Sequence, residues 1–148
     1  MLLITRDLSA RNGPEGVTLY LLDTNILIDL AGQKSSRSFF DSLLSERGLR
    51  FGTSILCVAE FLSGAQAKEE RFLKNWISAG ELEVIYLDSV EDAVHAAEFR
   101  RKHLLTLPDT LILASAIRTR AHLLTHDKAL LNKARTFLPA SDPLEEEN

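Results

Sequence analysis

Short continuous apolar runs alternate along this chain with segments whose apolar residues have helical spacing. Residues 18–22 form a run typical of a strand buried on both faces. Similar runs predict strands at 84–87 and 123–125; a less continuous pattern predicts a strand at 50–53, and 136–138 is a candidate fifth strand. Spacings of three and four predict helices at residues 26–30, 39–44, 55–65, 72–77, 90–104, 108–117 and 128–135. Strands separated by helices indicate an α/β fold: a three-layer α/β/α sandwich around a mainly parallel sheet of four to five strands.

The same pattern predicts a single domain over residues 17–140, because it contains no repeat and no linker. Residues 1–16 contain a turn-forming cluster but no sustained periodicity, so we expect an N-terminal extension that is flexible. Residues 141–148 include four acids and little apolar surface. Because such a segment gains too little burial to offset its ordering entropy, we expect it to be disordered.

Composition narrows the class of protein. The chain has 148 residues, of which 45% are hydrophobic and 26% charged, as in soluble globular proteins. Its apolar runs fall well short of the roughly 20 residues that span a membrane, and residues 1–4 are too short for the core of a secretion signal. Because Cys57 is the only cysteine, disulfide scaffolds and cysteine zinc clusters are excluded. We therefore expect a cytoplasmic protein that makes no use of a membrane.

The charge distribution argues against one type of partner. The formal net charge is −4, and four of the 21 acidic residues lie in the last eight positions, so the rest of the chain is formally neutral. A broad basic surface, which is typical of sequence-reading DNA-binding proteins, is therefore not expected.

Four acidic residues are placed to meet at one edge of the predicted sheet. Asp23 directly follows the first strand, and Asp127 lies two residues after the end of the fourth strand. Asp109 opens the helix that runs back toward that strand. Glu60 lies about two turns into the helix after the second strand. Because ligands of such sheets bind outside the carboxyl ends of the strands, we expect these carboxylates to converge.

Each carboxylate also has a structural interpretation. Asp23, Asp109 and Asp127 stand at helix beginnings, where a carboxylate caps free N–H groups and interacts favourably with the helix dipole. Glu60 lies among apolar residues, where an unpaired buried carboxylate is costly. We therefore expect Glu60 to have a partner, either an arginine or a cation shared with the other acids.

A divalent cation bound by these acids would explain why they lie together and would indicate a reaction. Mg²⁺ prefers oxygen ligands and commonly bridges one or two carboxylates to a substrate phosphate. Such an ion activates water and neutralises charge on a phosphoryl group. The pattern therefore favours metal-assisted hydrolysis of phosphodiesters.

Other common active sites find no support in the sequence. Dinucleotide-binding and P-loop glycine motifs are absent, and the four histidines lack the spacing of a zinc protease. Asn25, two places after Asp23, breaks the paired-aspartate motif of haloacid-dehalogenase-like phosphatases. We expect His126 to lie at the surface and Cys57 to be an inert buried thiol.

Four blocks of the sequence resemble those of PIN-domain nucleases, and within that group the VapC-type toxins of prokaryotic toxin–antitoxin pairs. They are LLDTNILIDL, TSILCVAEFLSGA, LPDTLILASAI and LLTHDKALL, and the resemblance covers residues 18–138. It implies a PIN-like fold and a catalytic role for Asp23, Glu60, Asp109 and Asp127. Asp23 and Asp109 are then the principal metal ligands, and Glu60 and Asp127 are candidates for further ones.

The resemblance also implies two supporting residues. Asn25 falls on the polar residue that orients the first acid, and Thr125 falls on the small hydroxyl residue before the last acid. The fourth block lacks the Asp-Phe pair often found a few residues later in the family. The assignment of the fourth acid therefore depends on Asp127 alone.

What the resemblance implies for function is an endoribonuclease that depends on Mg²⁺, with Mn²⁺ as an alternative ion. A toxin with a cognate antitoxin that covers the cleft, and a homodimer, are implied as well. The alternatives are a housekeeping RNA-processing nuclease and a non-catalytic PIN-like module that binds RNA or protein. Four converging carboxylates argue against the last of these, since a module that only binds has no need of them.

An RNA substrate must approach an acidic site, so we expect basic side chains around it to bind phosphates. The candidates are Lys34, Arg37, Arg100, Arg101, Lys102, Arg118 and Arg120. A solvated helix face is the alternative interpretation of each of them, because exposed charges are common on helices.

Overall fold

The computed structural model describes residues 17–32, 41–42 and 48–146. In chain order the elements of this part are β1 (Thr18–Leu22), α1 (Thr24–Ala31), β2 (Leu49–Ser54), α2 (Ile55–Gly64), α3 (Ala67–Ser78), β3 (Leu82–Ile85), α4 (Val90–His103), α5 (Leu107–Thr119), β4 (His122–Leu124), α6 (Lys128–Ala134), β5 (Ala140–Ser141) and α7 (Pro143–Glu146). The predicted extension at 1–16, most of the predicted helix at 39–44, and the candidates Lys34 and Arg37 lie outside the described residues.

The described strands form a five-stranded parallel sheet in the order β3-β2-β1-β4-β5. Helices flank the sheet, so the predicted α/β/α sandwich is confirmed. β1 lies at the centre, where Leu19, Leu21 and Leu22 are at most 2% exposed. Burial on both faces of this strand explains its continuous apolar run. In the described part of the chain, no helix combines the length and the apolar character needed to cross a membrane.

The last strand lies elsewhere than the candidate at residues 136–138, and that prediction is wrong. Phe137 and Leu138 both donate backbone hydrogen bonds of 2.9 Å to the carbonyl of Ala134, so they continue the turn that ends α6. The Phe137 ring lies 5.0 Å from the Phe99 ring. The apolar residues of this segment therefore pack on the core from a turn, and the strand follows them at Ala140–Ser141.

The expectation of disorder from residue 141 onward is wrong for residues 141–146. Ala140 and Ser141 pair with Leu123 and Leu124 of β4, and α7 follows. Ser141 and Asp142 are only 9% and 5% exposed. Sheet pairing and polar contacts order this segment: the Thr125 amide donates to the Ser141 carbonyl at 3.1 Å, and Ser141 Oγ lies 2.8 Å from His122 Nε2. The expectation of disorder considered only the small apolar surface of residues 141–148, and these contacts are polar.

Candidate active site

Asp23 lies at the carboxyl end of β1 and is the N-cap of α1. Its Oδ1 accepts a hydrogen bond from the Thr24 amide at 2.8 Å. Its Oδ2 accepts from Thr125 Oγ1 at 2.7 Å and from Asn25 Nδ2 at 3.3 Å. The residue is 7% exposed. The capping interpretation is therefore confirmed. The second carboxylate oxygen is held by one side chain from α1 and one from the loop that follows β4.

Thr125 and Asn25 also connect Asp23 to the loop that follows β4. Thr125 Oγ1 accepts from the amide of Asp127 at 3.1 Å, and Asn25 Oδ1 accepts from the amide of His126 at 3.0 Å. Asn25 Nδ2 lies 3.4 Å from Thr125 Oγ1. The orientation of the Asp23 carboxylate is thus coupled to the backbone of residues 125–127.

Glu60 is linked to Asp23 through Thr24, whose Oγ1 donates to Glu60 Oε1 at 3.0 Å. Glu60 is exposed, so the expectation of a buried carboxylate is wrong. The reason is that α2 buries only one face, with Cys57 and Phe61 inside, while Ile55 is 41% exposed. Thr24 was not predicted as a connecting residue, although its place directly after Asp23 was a signal.

Asp127 and Asp109 occupy two further helix beginnings. Asp127 caps α6, and its Oδ1 accepts from the amides of Ala129 and Leu130 at 2.9 and 3.2 Å. Asp109 lies in the first turn of α5, where Thr106 is the N-cap. Asp109 Oδ2 lies 3.4 Å from Lys133 Nζ of α6. Lys133 therefore connects Asp109 to the helix that Asp127 caps.

The surroundings of Asp23 fit a hard divalent cation. Its nearly buried carboxylate is held by neutral donors, and no basic side chain of the described residues forms an ion pair with it. A buried charge without a partner is costly, and a cation would remove that cost. No three His, Cys, Asp or Glu side chains of the described residues are grouped closely enough to hold an ion by themselves. Mg²⁺ needs only one or two carboxylates when waters or phosphate oxygens complete its coordination.

Cys57 lies behind Asp23 and is buried, as predicted, at 1% exposed. Its Sγ is 3.7 Å from Asp23 Oδ1. Burial raises the pKa of the thiol above its ordinary value, which keeps the sulfur protonated and able to act as a weak donor. This contact with Asp23 was not predicted from the sequence, because Cys57 and Asp23 lie 34 residues apart.

His126 does not lie free at the surface, and that expectation is wrong. Its Nδ1 is 2.7 Å from Asp142 Oδ1 and its Nε2 is 3.0 Å from Asp29 Oδ2. The side chain is 19% exposed. Its partners come from α1 and from residues 141–146, which are called the C-terminal segment below. The spacing of residues in the sequence does not show that these two parts of the chain meet.

Of the basic candidates, Arg118 is engaged within the fold. It forms an ion pair with Asp92 at 2.9 Å, lies 3.7 Å from Asp88, and donates to the carbonyl of Tyr86. Its side chain is 12% exposed. This placement argues against an RNA contact by Arg118. The other described candidates are exposed: Arg100, Arg101, Lys102 and Arg120.

The protein-family model that matches this chain is that of the PIN domain, over residues 20–136. Similar solved structures include VapBC2 from Rickettsia felis bound to a promoter DNA fragment, with 22% identity, coverage of 84% of this chain and 98% of that chain, and a TM-score of 0.62. A toxin–antitoxin complex from Klebsiella pneumoniae has 27% identity, coverage of 84% and 97%, and a TM-score of 0.60. VapBC-1 from nontypeable Haemophilus influenzae has 23% identity, coverage of 86% and 99%, and a TM-score of 0.62.

A comparison with curated proteins found no match. The PIN model nevertheless spans most of the chain and includes all four acids discussed above. The strand arrangement and the similarity to VapBC structures agree with it. The chain therefore belongs to the PIN domain family.

Proposed function

We propose that this protein is an Mg²⁺-dependent endoribonuclease, with Mn²⁺ as an alternative ion, and the toxin of a toxin–antitoxin pair. The observation that carries the proposal is the buried Asp23 carboxylate, which is held at the end of the central strand by Thr24, Asn25 and Thr125. Membership of the PIN family supports hydrolysis of a phosphodiester as the reaction. In this proposal Asp23 and Asp109 hold the ion, and Glu60 and Asp127 are further candidate ligands.

The residues of the chain prepare the site for this reaction. When bound, a divalent ion supplies activated water and neutralises charge on the phosphoryl group. Thr125 and Asn25 fix Oδ2 of Asp23, and the Thr24 amide fixes Oδ1. A carboxylate that is already oriented needs less reorganisation when a cation and a phosphate arrive. Thr24 extends the same arrangement to Glu60.

The proposal is tested with the full chain and labelled RNA. We expect cleavage of RNA in Mg²⁺ or Mn²⁺, no cleavage with excess chelator, and recovery when the ion is restored. A mixture of tRNA and rRNA is a suitable first substrate, and DNA of the same length is the comparison. Cleavage that persists in chelator, or the absence of cleavage with either ion, would contradict the nuclease assignment.

Replacing Thr125 with valine should lower RNA cleavage by about 10–100-fold, the usual effect of removing a residue that orients a metal ligand. The substitution removes the hydroxyl that donates to Asp23 at 2.7 Å and keeps the size of the side chain. Single-turnover rates measured over a range of Mg²⁺ concentrations check this. Thr125→Ser keeps the hydroxyl and should stay close to wild type.

A matched control exists on α5. Thr119 is also buried, but its hydroxyl donates to the carbonyls of Ser115 and Ala116 within the helix. Thr119→Val should therefore leave cleavage unchanged. If Thr125→Val were folded and fully active, Thr125 would have no part in orienting Asp23.

The three consecutive basic residues at the end of α4 are candidates for binding RNA phosphates. Arg100, Arg101 and Lys102 occupy the last turn of α4 and are exposed. Neutralising all three should make the dependence of RNA binding on salt shallower, by about 0.7 in log–log slope for each phosphate that the protein no longer neutralises. Filter binding at several salt concentrations measures this slope.

Arg118→Met is the contrasting variant, because Arg118 is paired with Asp92 inside the fold. We expect it to lower the free energy of unfolding by about 2 kcal/mol and to leave the salt slope unchanged. An unchanged slope in the triple variant would remove the α4 cluster from the RNA-binding candidates. Lys34, Arg37 and Arg120 would then be the next to test.

The toxin role, an antitoxin partner and a homodimer also belong to this proposal. The similar structures named above include toxin–antitoxin complexes, which supports such a partner here. Expression of the chain alone in the cytoplasm of bacterial cells should arrest their growth. Co-expression of a small protein encoded next to it should relieve the arrest. A processing nuclease would cleave RNA without causing arrest. Light scattering of the purified chain tests the homodimer.

A further inference from the structure

His126 joins three segments that are far apart in the sequence. Its Nδ1 lies 2.7 Å from Asp142 Oδ1 in the C-terminal segment, and its Nε2 lies 3.0 Å from Asp29 Oδ2 in α1. Asp29 and Asp142 are 8% and 5% exposed. Hydrogen bonds to carboxylates are strong when they are shielded from water, so these contacts hold the His126 ring between α1 and the C-terminal segment.

The two contacts of the His126 ring adjoin those that orient Asp23. Asn25 and Asp29 lie four residues apart on α1, so they share one face of the helix. The backbone amide of His126 donates to Asn25 Oδ1 on that face, and the His126 ring meets Asp29. The preceding residue, Thr125, donates to Asp23 at 2.7 Å. A displacement of His126 would therefore move Thr125 and Asn25 together.

We propose that His126 is a positioning residue, through which the docked C-terminal segment holds residues 125–127 in the arrangement that orients Asp23. The link runs from Asp142 to the His126 ring, then through the His126 and Thr125 backbone to the Asp23 carboxylate. The effect on catalysis rests on the proposed function. The effect on the loop does not depend on it.

A simpler role for Asp142 is to cap α7, because Asp142 Oδ1 also accepts from the Leu144 amide at 3.0 Å. Two substitutions separate this role from the proposed one. Asp142→Ser keeps a capping oxygen, but its side chain is too short to reach His126. Asp142→Asn keeps an acceptor oxygen at the same position, so this variant should have the amide exchange rates and the Mn²⁺ affinity of the wild type. Glu145→Gln is the matched control, because Glu145 lies on the same segment and contacts Arg135.

Two backbone amides report directly on the loop. The His126 amide donates to Asn25 Oδ1 and the Asp127 amide donates to Thr125 Oγ1. In Asp142→Ser we expect hydrogen exchange of both amides to become about tenfold faster, which is the change that the loss of one hydrogen bond produces. The amides of β1 serve as an internal reference and should keep their rates.

The affinity for Mn²⁺, measured by calorimetry, is the second readout, and a role in capping alone would not change it. It should fall by about tenfold in Asp142→Ser and in His126→Ala, and the double variant should be no weaker than either single variant. Asp142→Asn and Glu145→Gln should bind Mn²⁺ as the wild type does. Additive losses in the double variant, or wild-type exchange and Mn²⁺ affinity in Asp142→Ser, would overturn the inference.

The experiment also separates this inference from the proposed function. A wild-type chain that cleaves no RNA contradicts the nuclease, while the exchange of the two amides still decides whether Asp142 holds the loop. A wild-type chain that cleaves RNA, together with an Asp142→Ser variant that is unchanged in exchange, Mn²⁺ affinity and cleavage rate, supports the nuclease and contradicts the positioning role.

Discussion

Asp23→Asn is expected to abolish metal-dependent RNA cleavage, with a fall in rate of about a thousandfold or more. The substitution removes the negative charge that would bind the cation, and it keeps the shape of the side chain. Asparagine is also a good N-cap, so the contact with the Thr24 amide at the start of α1 can be retained. The Thr125 hydroxyl can rotate to accept from the new amide group, so the contact that is lost is the longer one from Asn25 Nδ2 at 3.3 Å. The fold should therefore survive the loss of activity.

The measurement is single-turnover cleavage in saturating Mg²⁺, with circular dichroism to show that the variant is folded. Asp109→Asn should give the same result, because Asp109 is the second principal ligand in the proposal. Glu98→Gln is the control, since Glu98 is an exposed acid on α4. Wild-type activity in Asp23→Asn or Asp109→Asn would exclude the corresponding residue from the metal site.

The fold was predictable from the sequence where both faces of a strand are buried along its whole length. β1 was predicted at its observed bounds, Thr18–Leu22, because a central parallel strand is apolar on both faces. β3 was predicted two residues too late, because Tyr86 and Leu87 extend the apolar pattern beyond Ile85 although both are about half exposed. β3 is an edge strand of the sheet. In such a strand the apolar residues of the sequence need not be the residues that pair with the neighbouring strand.

The site was predictable as far as local rules apply. Asp23 and Asp127 cap helices as their positions in the sequence suggested, and strand ends gathered Asp23, Thr125 and Asp127 at one edge. Glu60 was misjudged, because apolar neighbours in the sequence do not show which face of α2 is buried. The partners of His126 lie 97 and 16 residues away in the sequence. Contacts over such separations produce no repeating pattern of residues from which they could be predicted. Long-range polar contacts therefore had to come from the structure.

Ending the chain at Ala140 is expected to lower the free energy of unfolding by about 3 kcal/mol, because each buried polar group that loses its hydrogen-bond partner costs about 1–3 kcal/mol. Such a chain loses Ser141, which contacts His122 at 2.8 Å and accepts from the Thr125 amide at 3.1 Å. It also loses Asp142, the partner of His126 at 2.7 Å. The Thr125 amide and the rings of His122 and His126 would then lack these hydrogen-bond partners beside the central sheet.

A chain that ends at Glu146 is the matched control, because it keeps β5, Asp142 and the turn of α7. Urea unfolding of the two chains, followed by circular dichroism, gives the difference in stability. Equal stability of the two would mean that β5 and Asp142 contribute nothing to the fold. A chain ending at Ala140 that is less stable but still folded should also need more Mg²⁺ for RNA cleavage, because the loop that supports Thr125 no longer has its anchor in the C-terminal segment.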